Sequence, residues 1–420
     1  MPHFEFSALT LLLAQIATIM LVSRGVGFVA RWVGQPLVIA EIVAGILLGP
    51  SLLGWVWSDA MTVLFPENSL TTLKMLSQIG LILFMFLVGL KLDLKLLNVR
   101  TGESVIISHA SILVPFVLGA GISWWLYASY ASPGVPFLPF FLFLGVSMSV
   151  TAFPVLARIL EERHLIKSRV GAIAIVCAAV DDVTAWCLLA LVVAVASTKS
   201  IVLALWTTIL ALIFVLVMVF LVRPLLRSLG EYVISRGGFG PQVVALIMLL
   251  LFASSTLTEL IGIHALFGAF LFGAILPKNA RMTDSLVEKL ETVTVVLFLP
   301  LFFAYSGLRT HIGLVNQAEE WLVTGALILV ATLGKFGGSA VAAKLTGFSW
   351  SEASAIGILM NTRGLVELIV LNIGLDIGVI SPTVFTMLVI MALVTTIATT
   401  PALLCMRLDL HGSVAEVPLR

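Results

Sequence analysis

The sequence predicts an all-α polytopic membrane protein. Of its 420 residues, 60% are hydrophobic and 11% are charged, whereas a soluble domain carries about 25% charged residues. Apolar stretches of roughly 20 residues, the length that crosses a bilayer, recur from Ala8 to Cys405 with short polar breaks. The net charge is +1, so we expect the lipid bilayer as a partner and no nucleic acid.

Clusters of polar residues, glycines and prolines divide the chain into about thirteen transmembrane helices. The first apolar stretch lacks a basic leader and a small-residue cleavage site, so it is interpreted as a retained helix. The predicted spans are 7–30, 36–54, 71–91, 103–127, 137–161, 168–196, 199–223, 240–258, 262–278, 288–308, 319–344, 351–375 and 382–406.

The positions of the basic residues predict the orientation of these spans. Alternate connecting segments hold most of the lysines and arginines, as expected for segments on the cytosolic side. They are Arg31, Lys91, Lys95, Arg100, Arg158, Arg163, Lys167, Arg169, Arg223, Arg227, Arg236, Lys278, Arg281, Lys289, Lys344 and Arg407. We therefore expect the N-terminus outside and the C-terminus in the cytosol, in a plasma or inner membrane or an internal energised membrane.

An odd number of spans suits two inverted six-helix repeats joined by one helix. The first repeat is predicted at 1–198, the linking helix at 199–223 and the second repeat at 240–406. The chain 1–420 is expected to be a single transmembrane unit with no soluble regulatory domain.

Two spans in corresponding places of the predicted repeats have interruptions. The fifth span holds Thr151 and Pro154 near its middle, and the twelfth holds Asn361, Thr362 and Gly364. Proline cannot donate to the helix ladder and glycine tolerates unwinding, so helix ends become free at mid-membrane depth, where they can bind ions. Either residue alone would merely kink a helix. The paired placement favours two crossed, discontinuous helices.

Ionisable residues inside predicted spans mark candidate ion or proton paths, because charges at this depth are costly. Asp181 and Asp182 lie in the middle of the sixth span, and Lys335 lies deep in the eleventh. Arg363 and Glu367 have the i, i+4 spacing of a helical ion pair. That pair is interpreted mainly as a structural clamp, with gating or a proton path as the alternative.

The two aspartates are expected to have different roles. Consecutive helical residues point about 100° apart, so they do not form a chelating pair. A buried ammonium needs a partner, and we expect Lys335 to pair with Asp181 and leave Asp182 free. Two carboxylates and one ammonium leave one negative charge, which a monovalent cation or a proton could neutralise. This competition predicts exchange of one for the other; the alternative is a purely structural triad of charges.

Several motifs together resemble the second cation:proton antiporter family over nearly the whole chain. Its bacterial Na⁺/H⁺ antiporters and plant cation/proton exchangers are the most similar members. The motifs are Gly34-Gln35-Pro36, Gly45 to Pro50, Ser149 to Leu160, Asp181-Asp182 and Asn361 to Leu368.

The resemblance implies a Na⁺/H⁺ antiporter-like fold and a homodimer, in which an elevator-like movement of a core domain carries the ion. It implies that Asp182 binds the cation and carries the proton together with Asp181. The Thr151 hydroxyl is a further expected cation ligand, and Lys335 is the salt-bridge partner. Arg363 and Glu367 match the clamp of the family beside the crossing helices.

The expected activity is therefore secondary active antiport of a monovalent cation, Na⁺ with K⁺ or Li⁺ as further candidates, for H⁺. Plant relatives commonly have asparagine at the position of Asp181, and an aspartate there favours electrogenic exchange. No cofactor is expected beyond the transported ions.

Three other functions are alternatives to antiport. The first is a channel-like K⁺ efflux transporter of the Kef type, whose members usually carry a long cytosolic nucleotide-binding domain. The second is a sodium-coupled symporter, which would not need the aspartate and lysine pair. An intramembrane aspartyl protease needs carboxylates on two facing helices, so the adjacent Asp181 and Asp182 argue against an enzyme.

Overall fold

The computed structural model describes residues 7–91, 101–163, 165, 168–197, 201–228, 240–277 and 280–406. Within these ranges the chain is helical, and the only β interaction is an isolated bridge between Ala131 and Ile380. Within the described residues, nine helical stretches are long and apolar enough to cross a membrane, three of them made of adjoining shorter elements, and one bent helix pair would make a tenth. The prediction of an all-α membrane protein is confirmed; the count of thirteen spans stays a prediction.

Most of the helices overlap predicted spans, but the short helix Ser58–Leu64 lies outside all of them and the helix Ala280–Val293 begins before the predicted span 288–308. In chain order they are α1 (Ala8–Trp32), α2 (Leu37–Leu48), α3 (Leu53–Val56), α4 (Ser58–Leu64), α5 (Glu67–Lys91), α6 (Thr101–Tyr130), α7 (Phe137–Ser149), α8 (Phe153–Glu162), α9 (Arg169–Ser197), α10 (Ile201–Val217), α11 (Pro241–Ile261), α12 (Ala265–Ile275), α13 (Ala280–Val293), α14 (Leu299–Leu308), α15 (Ala318–Thr332), α16 (Gly338–Leu345), α17 (Trp350–Met360), α18 (Leu365–Asp376) and α19 (Pro382–Cys405). Single π-helical turns occur at Met218–Val222, Thr294–Phe298 and Leu333–Gly337.

The first of two compact units comprises Met1–Arg24, Ala44–Asp93 and Ala190–Leu308. Helices α5 and α12 pack closely in it because glycines lie at their contact: a Cβ at Gly89 or Gly273 would overlap backbone atoms of the opposite helix. The rings of Phe86 and Phe272 stack beside them, with centroids 5.9 Å apart. Small residues at such contacts let membrane helices approach, since lipid gives no hydrophobic drive for their association.

The second unit comprises Gly25–Val43, Leu94–Leu189 and Arg309–Arg420. It contains α6 to α8, most of α9, and α15 to α19. Its apolar core joins α8, α9 and α17 through fully buried side chains such as Leu156, Cys177 and Ile356. Both interrupted helices and every intramembrane charge singled out in the sequence belong to this unit.

Both predicted interruptions are present in the second unit. Helix α7 ends at Ser149 and α8 begins at Phe153, while α17 ends at Met360 and α18 begins at Leu365 with a 42° bend. The inverted repeats, the linking helix and the orientation of the termini stay predictions. Residues 198–200, at the predicted start of the linking helix, lie outside the described residues, as do the basic residues Lys95, Arg100, Lys167, Arg236, Lys278 and Arg407.

The close packing of α5 on α12 predicts that Gly273→Ala destabilises the protein. The new Cβ would overlap the carbonyl oxygen of Phe86, and relieving such overpacking typically costs about 1–3 kcal/mol. Thermal unfolding of purified protein in detergent should show a lower apparent melting temperature. Gly325→Ala is the control, because a Cβ at this exposed α15 position meets nothing within 4 Å. A Gly273→Ala protein at least as stable as wild type would contradict the packing.

Candidate functional site

The site is built around the break between α7 and α8. Val150 has an extended backbone, with φ −68° and ψ 134°, so the last carbonyls of α7 and the first amides of α8 lack helical partners. The Ala152 amide donates to the carbonyl oxygen of Thr362 over 3.0 Å. This backbone hydrogen bond joins the break of the fifth predicted span to that of the twelfth.

Lys335 and Asp181 form a fully buried ion pair in which Nζ lies 2.8 Å from Oδ2. Lys335 also donates to the hydroxyl oxygens of Ser111, over 3.0 Å, and Thr151. Asp181 accepts hydrogen bonds from Ser108 (3.0 Å), Ser111 (2.7 Å) and Thr151 (2.8 Å). A buried ion pair is stable only when other hydrogen bonds satisfy the remaining lone pairs of the carboxylate and the remaining N–H groups of the ammonium. Here the hydroxyl groups of Ser108, Ser111 and Thr151 supply these hydrogen bonds.

The backbone around Lys335 explains how its ammonium reaches Asp181. Lys335 lies in the π-helical turn Leu333–Gly337 between α15 and α16. A π-turn adds one residue to a helical turn and is frequent at functional sites. Gly334 and Gly338 let this segment contact α6, since a Cβ at either would meet Pro115 or Val114 at less than 3.0 Å. Helix α6 carries the two serines that complete the network.

Asp182 has a different environment from its neighbour. Its side chain is 3% exposed, and neither carboxylate oxygen has a hydrogen-bond partner. It faces the backbone amide of Phe153, the first residue of α8, and it experiences the charges of Asp181 and Lys335. The positive end of a helix dipole favours an anion, but a partial charge does not replace a counter-ion for a buried carboxylate. A cation or a proton would neutralise this group.

A second buried ion pair lies at the C-terminal end of α7, on the other side of the α7–α8 break. Arg363 Nη1 lies 2.6 Å from Glu367 Oε2, and the guanidinium donates to the carbonyl oxygens of Ser147 (2.9 Å) and Met148 (2.8 Å). These carbonyls end α7. Arg363 therefore satisfies carbonyls that have no helical partner and places a positive charge at the negative end of the α7 dipole.

The structure thus brings most of the predicted site residues together. Asp181, Thr151 and Lys335 form one network, and Arg363 and Glu367 form another. Thr362 joins the two breaks through its carbonyl, Asn361 is buried beside it with no partner for Oδ1, and Pro154 is the second residue of α8.

Three features of the site were missed in the sequence. They are Ser108, Ser111 and the π-helical turn at Lys335. A signal for the serines does exist. Ser104, Ser108 and Ser111 recur at four- and three-residue spacing on apolar α6, which places them on one helix face.

Comparisons with known proteins agree with this architecture. A family profile described as "Sodium/hydrogen exchanger, transmembrane" matches residues 16–405. The chain is 43% identical to the Na⁺/H⁺ antiporter NhaS4 of Synechocystis sp. over 94% of this chain and 97% of that protein.

Longer eukaryotic proteins are also similar. The chain is 45% identical to cation/H⁺ antiporter 17 of Arabidopsis thaliana, covering 94% of this chain and 48% of that protein. It is 35% identical to K⁺/H⁺ antiporter 1 of Saccharomyces cerevisiae, covering 95% and 47%. The chain therefore spans about half the length of these plant and yeast relatives.

Among solved structures, the sodium proton antiporter MjNhaP1 from Methanocaldococcus jannaschii shares the fold. The TM-score is 0.66 at 18% sequence identity, and the match covers 97% of this chain and 100% of that structure.

The clamp geometry predicts that Arg363→Gln destabilises the protein strongly. It leaves the Glu367 carboxylate buried without a cation and removes donors from the Ser147 and Met148 carbonyls. Breaking a buried pair from one side costs about 3–5 kcal/mol. The double variant Arg363→Gln/Glu367→Gln should recover part of that loss, because it leaves no unpaired charge. Apparent melting temperatures of the three proteins check this; a double variant no more stable than the single one would refute the pairing.

Proposed function

The chain belongs to the sodium/hydrogen exchanger family, and we propose that it is a secondary active antiporter that exchanges a monovalent cation for H⁺ by alternating access. The observation that carries the proposal is the position of Asp182. It is a buried carboxylate at the N-terminal end of a half-helix, without a hydrogen-bond donor, beside an aspartate that already has its own lysine.

The charge of the site accounts for obligatory exchange. Two positive groups, Lys335 and Arg363, and three negative ones, Asp181, Asp182 and Glu367, are all fully or almost fully buried. Two minus three leaves one formal negative charge. One monovalent cation or one proton cancels it, and either excludes the other. A carrier that changes orientation only when this charge is neutralised exchanges the two ions.

The substrate proposal includes both Na⁺ and K⁺. The Synechocystis relative is named for Na⁺/H⁺ exchange and the yeast relative for K⁺/H⁺ exchange. In this chain Asp182 would hold the ion, with Asp181 and the Thr151 hydroxyl as further oxygen ligands. These ligands suit a hard monovalent cation that gives up part of its hydration shell.

We also propose that exchange is electrogenic. Lys335 has Asp181 as its partner, and both side chains are 0% exposed. A cation that occupies the aspartates would compete with the ammonium of Lys335 for Asp181, and Lys335 would then release its proton. The exchange would then move more than one proton per cation.

The same proposal covers assembly and orientation. The protein would be a homodimer in a plasma, inner or internal energised membrane, with its N-terminus outside and its C-terminus in the cytosol. The mobile part would be the second unit, which holds the whole site. Arg363 and Glu367 would keep the two broken helices together while it moves.

Asp182→Asn should abolish exchange and leave the protein folded, because it removes the titrating charge with little change in volume. The measurement is dye-reported proton movement in proteoliposomes that hold a pH gradient, on addition of Na⁺, K⁺ or Li⁺. Asp284→Asn is the matched control, because Asp284 is exposed on α13. We expect cation-dependent dissipation in wild type and the control only. Equal dissipation by Asp182→Asn would refute its role, and cation flux without proton movement in wild type would favour the channel-like alternative.

Lys335→Ala should reduce stability and voltage dependence more than it reduces cation affinity. The substitution leaves the Asp181 carboxylate with three hydroxyl donors but no cation, and it removes Lys335 as the proposed carrier of a second proton. In proteoliposomes, an imposed membrane potential should change the exchange rate of wild type but not of the variant, whose KM for the cation stays within about tenfold. A variant with wild-type stability and voltage dependence would contradict this role, and a voltage-insensitive wild type would refute electrogenic exchange.

A further inference from the structure

One buried donor near the site has no role so far. Trp186 lies on α9, four residues after Asp182, and its side chain is 3% exposed. Its indole Nε1 is buried and has no acceptor among the residues that the structure describes. The indole N–H is a donor only, and a buried tryptophan usually finds a partner for it.

Helix geometry places Trp186 and Asp182 on the same face of α9. Helix α9 is continuous from Arg169 to Ser197, so residues four apart lie on one face with Cβ atoms roughly 5–6 Å apart. Long helical side chains lean towards the N-terminus and cover the preceding turn. This tendency brings the Trp186 ring towards the turn that carries Asp182.

The chemistry of the two groups is complementary. Both Asp182 oxygens are buried acceptors without a donor, and Trp186 Nε1 is a buried donor without an acceptor. Between them on the helix, Thr184 already donates to the Val180 carbonyl oxygen over 2.9 Å. Cys187 lies on an exposed face of α9.

The other groups around Asp182 leave room for such a contact. Asp181 and Lys335 are the charged groups that act on it, and α8 contributes the Phe153 amide at its first residue. Lys335 is bound to Asp181, and Arg363 and Glu367 act on Lys335. The Phe153 amide acts on the carboxylate as a weak donor outside ordinary hydrogen-bond geometry, and both Asp182 oxygens can accept a further hydrogen bond.

We infer that Trp186 is a positioning residue, whose indole N–H donates to the Asp182 carboxylate through one bridging water when neither cation nor proton occupies it. The inference rests on the proposed function of Asp182. A neutral N–H cannot ligate a cation, so the contact forms in the unoccupied carboxylate and breaks on loading. Trp186 thus stabilises the free carboxylate, competes with both substrates and assists their release.

Trp186→Phe tests this role, because it keeps an aromatic ring and removes the N–H. Without the competing donor, KM for the best wild-type cation at pH 9 should fall about three- to tenfold, the effect of one ordinary hydrogen bond. The maximal rate should fall as well, and half-maximal exchange should move to higher pH. A merely damaged site would raise KM instead.

Two further variants separate this role from packing. Trp186→His keeps a ring N–H in a smaller ring and should restore KM towards the wild-type value. Trp206→Phe, at a position 58% exposed on α10, should match wild type. An unchanged or raised KM in Trp186→Phe, or the same KM in the Phe and His variants, would overturn the inference.

The tests of Trp186 and of the proposed function fail in different ways. If Asp182→Asn still exchanges ions, the assignment of Asp182 is wrong whatever Trp186 does. If Asp182→Asn is inactive while Trp186→Phe keeps the wild-type KM and pH profile, only the role of Trp186 is wrong.

Discussion

The ion pair between Lys335 and Asp181 is the interaction on which the rest of the site depends. It lies where three otherwise separate parts of the chain meet: α6 through Ser108 and Ser111, the α7–α8 break through Thr151, and the π-helical turn of Lys335. A pair with 0% exposure is stable only if its partners stay in place. Its requirements therefore fix the backbone of the break, and that backbone places the N-terminal end of α8 beside Asp182.

The two adjacent aspartates take different roles because of helix geometry. A turn of about 100° per residue directs them to different neighbours. Asp181 meets an ammonium and three hydroxyl groups, so its charge is fully compensated. Asp182 meets the N-terminal end of α8 and has no counter-ion of its own, because Lys335 pairs with Asp181. The same residue type thus has a counter-ion at one position and none at the next.

Much of this arrangement could be predicted from the sequence. The rarity of charges in apolar spans identified Asp181, Asp182 and Lys335, and Pro154 and Gly364 indicated where the helices break. The pairing of Lys335 with Asp181 followed from the cost of a lone buried ammonium. Each of these arguments rests on a large free-energy cost, either of an unpaired buried charge or of a broken helix, and only a few arrangements of the chain keep that cost low.

Other features depend on tertiary packing and had no such signal. The π-helical turn at Lys335 is set by the contact of Gly334 and Gly338 with α6. Serines are common in membrane helices, where they often bond to their own backbone, so Ser108 and Ser111 did not stand out until their partner was known. The contact of Arg363 with the last carbonyls of α7 could be identified only from the side-chain conformation of Arg363. The free-energy cost of unpaired buried charges predicts which charged groups must be paired. Tertiary packing decides which small polar residues, here the two serines, complete their hydrogen bonds.

The two helix ends at the α7–α8 break face groups of opposite charge. Under the proposed function, this difference explains how the site can change its occupant. At the carbonyl end stands Arg363, whose guanidinium cannot be deprotonated in a protein, so this end is compensated permanently. At the amide end stands Asp182, a carboxylate that can hold a proton, a cation or a hydrogen bond. If the charges were reversed, with a titratable cation at the carbonyl end and a fixed anion at the amide end, the site would attract anions. Under the proposed function, the negative charge of Asp182, set against the fixed positive charge of Arg363 at the other end of the same break, makes the site selective for cations.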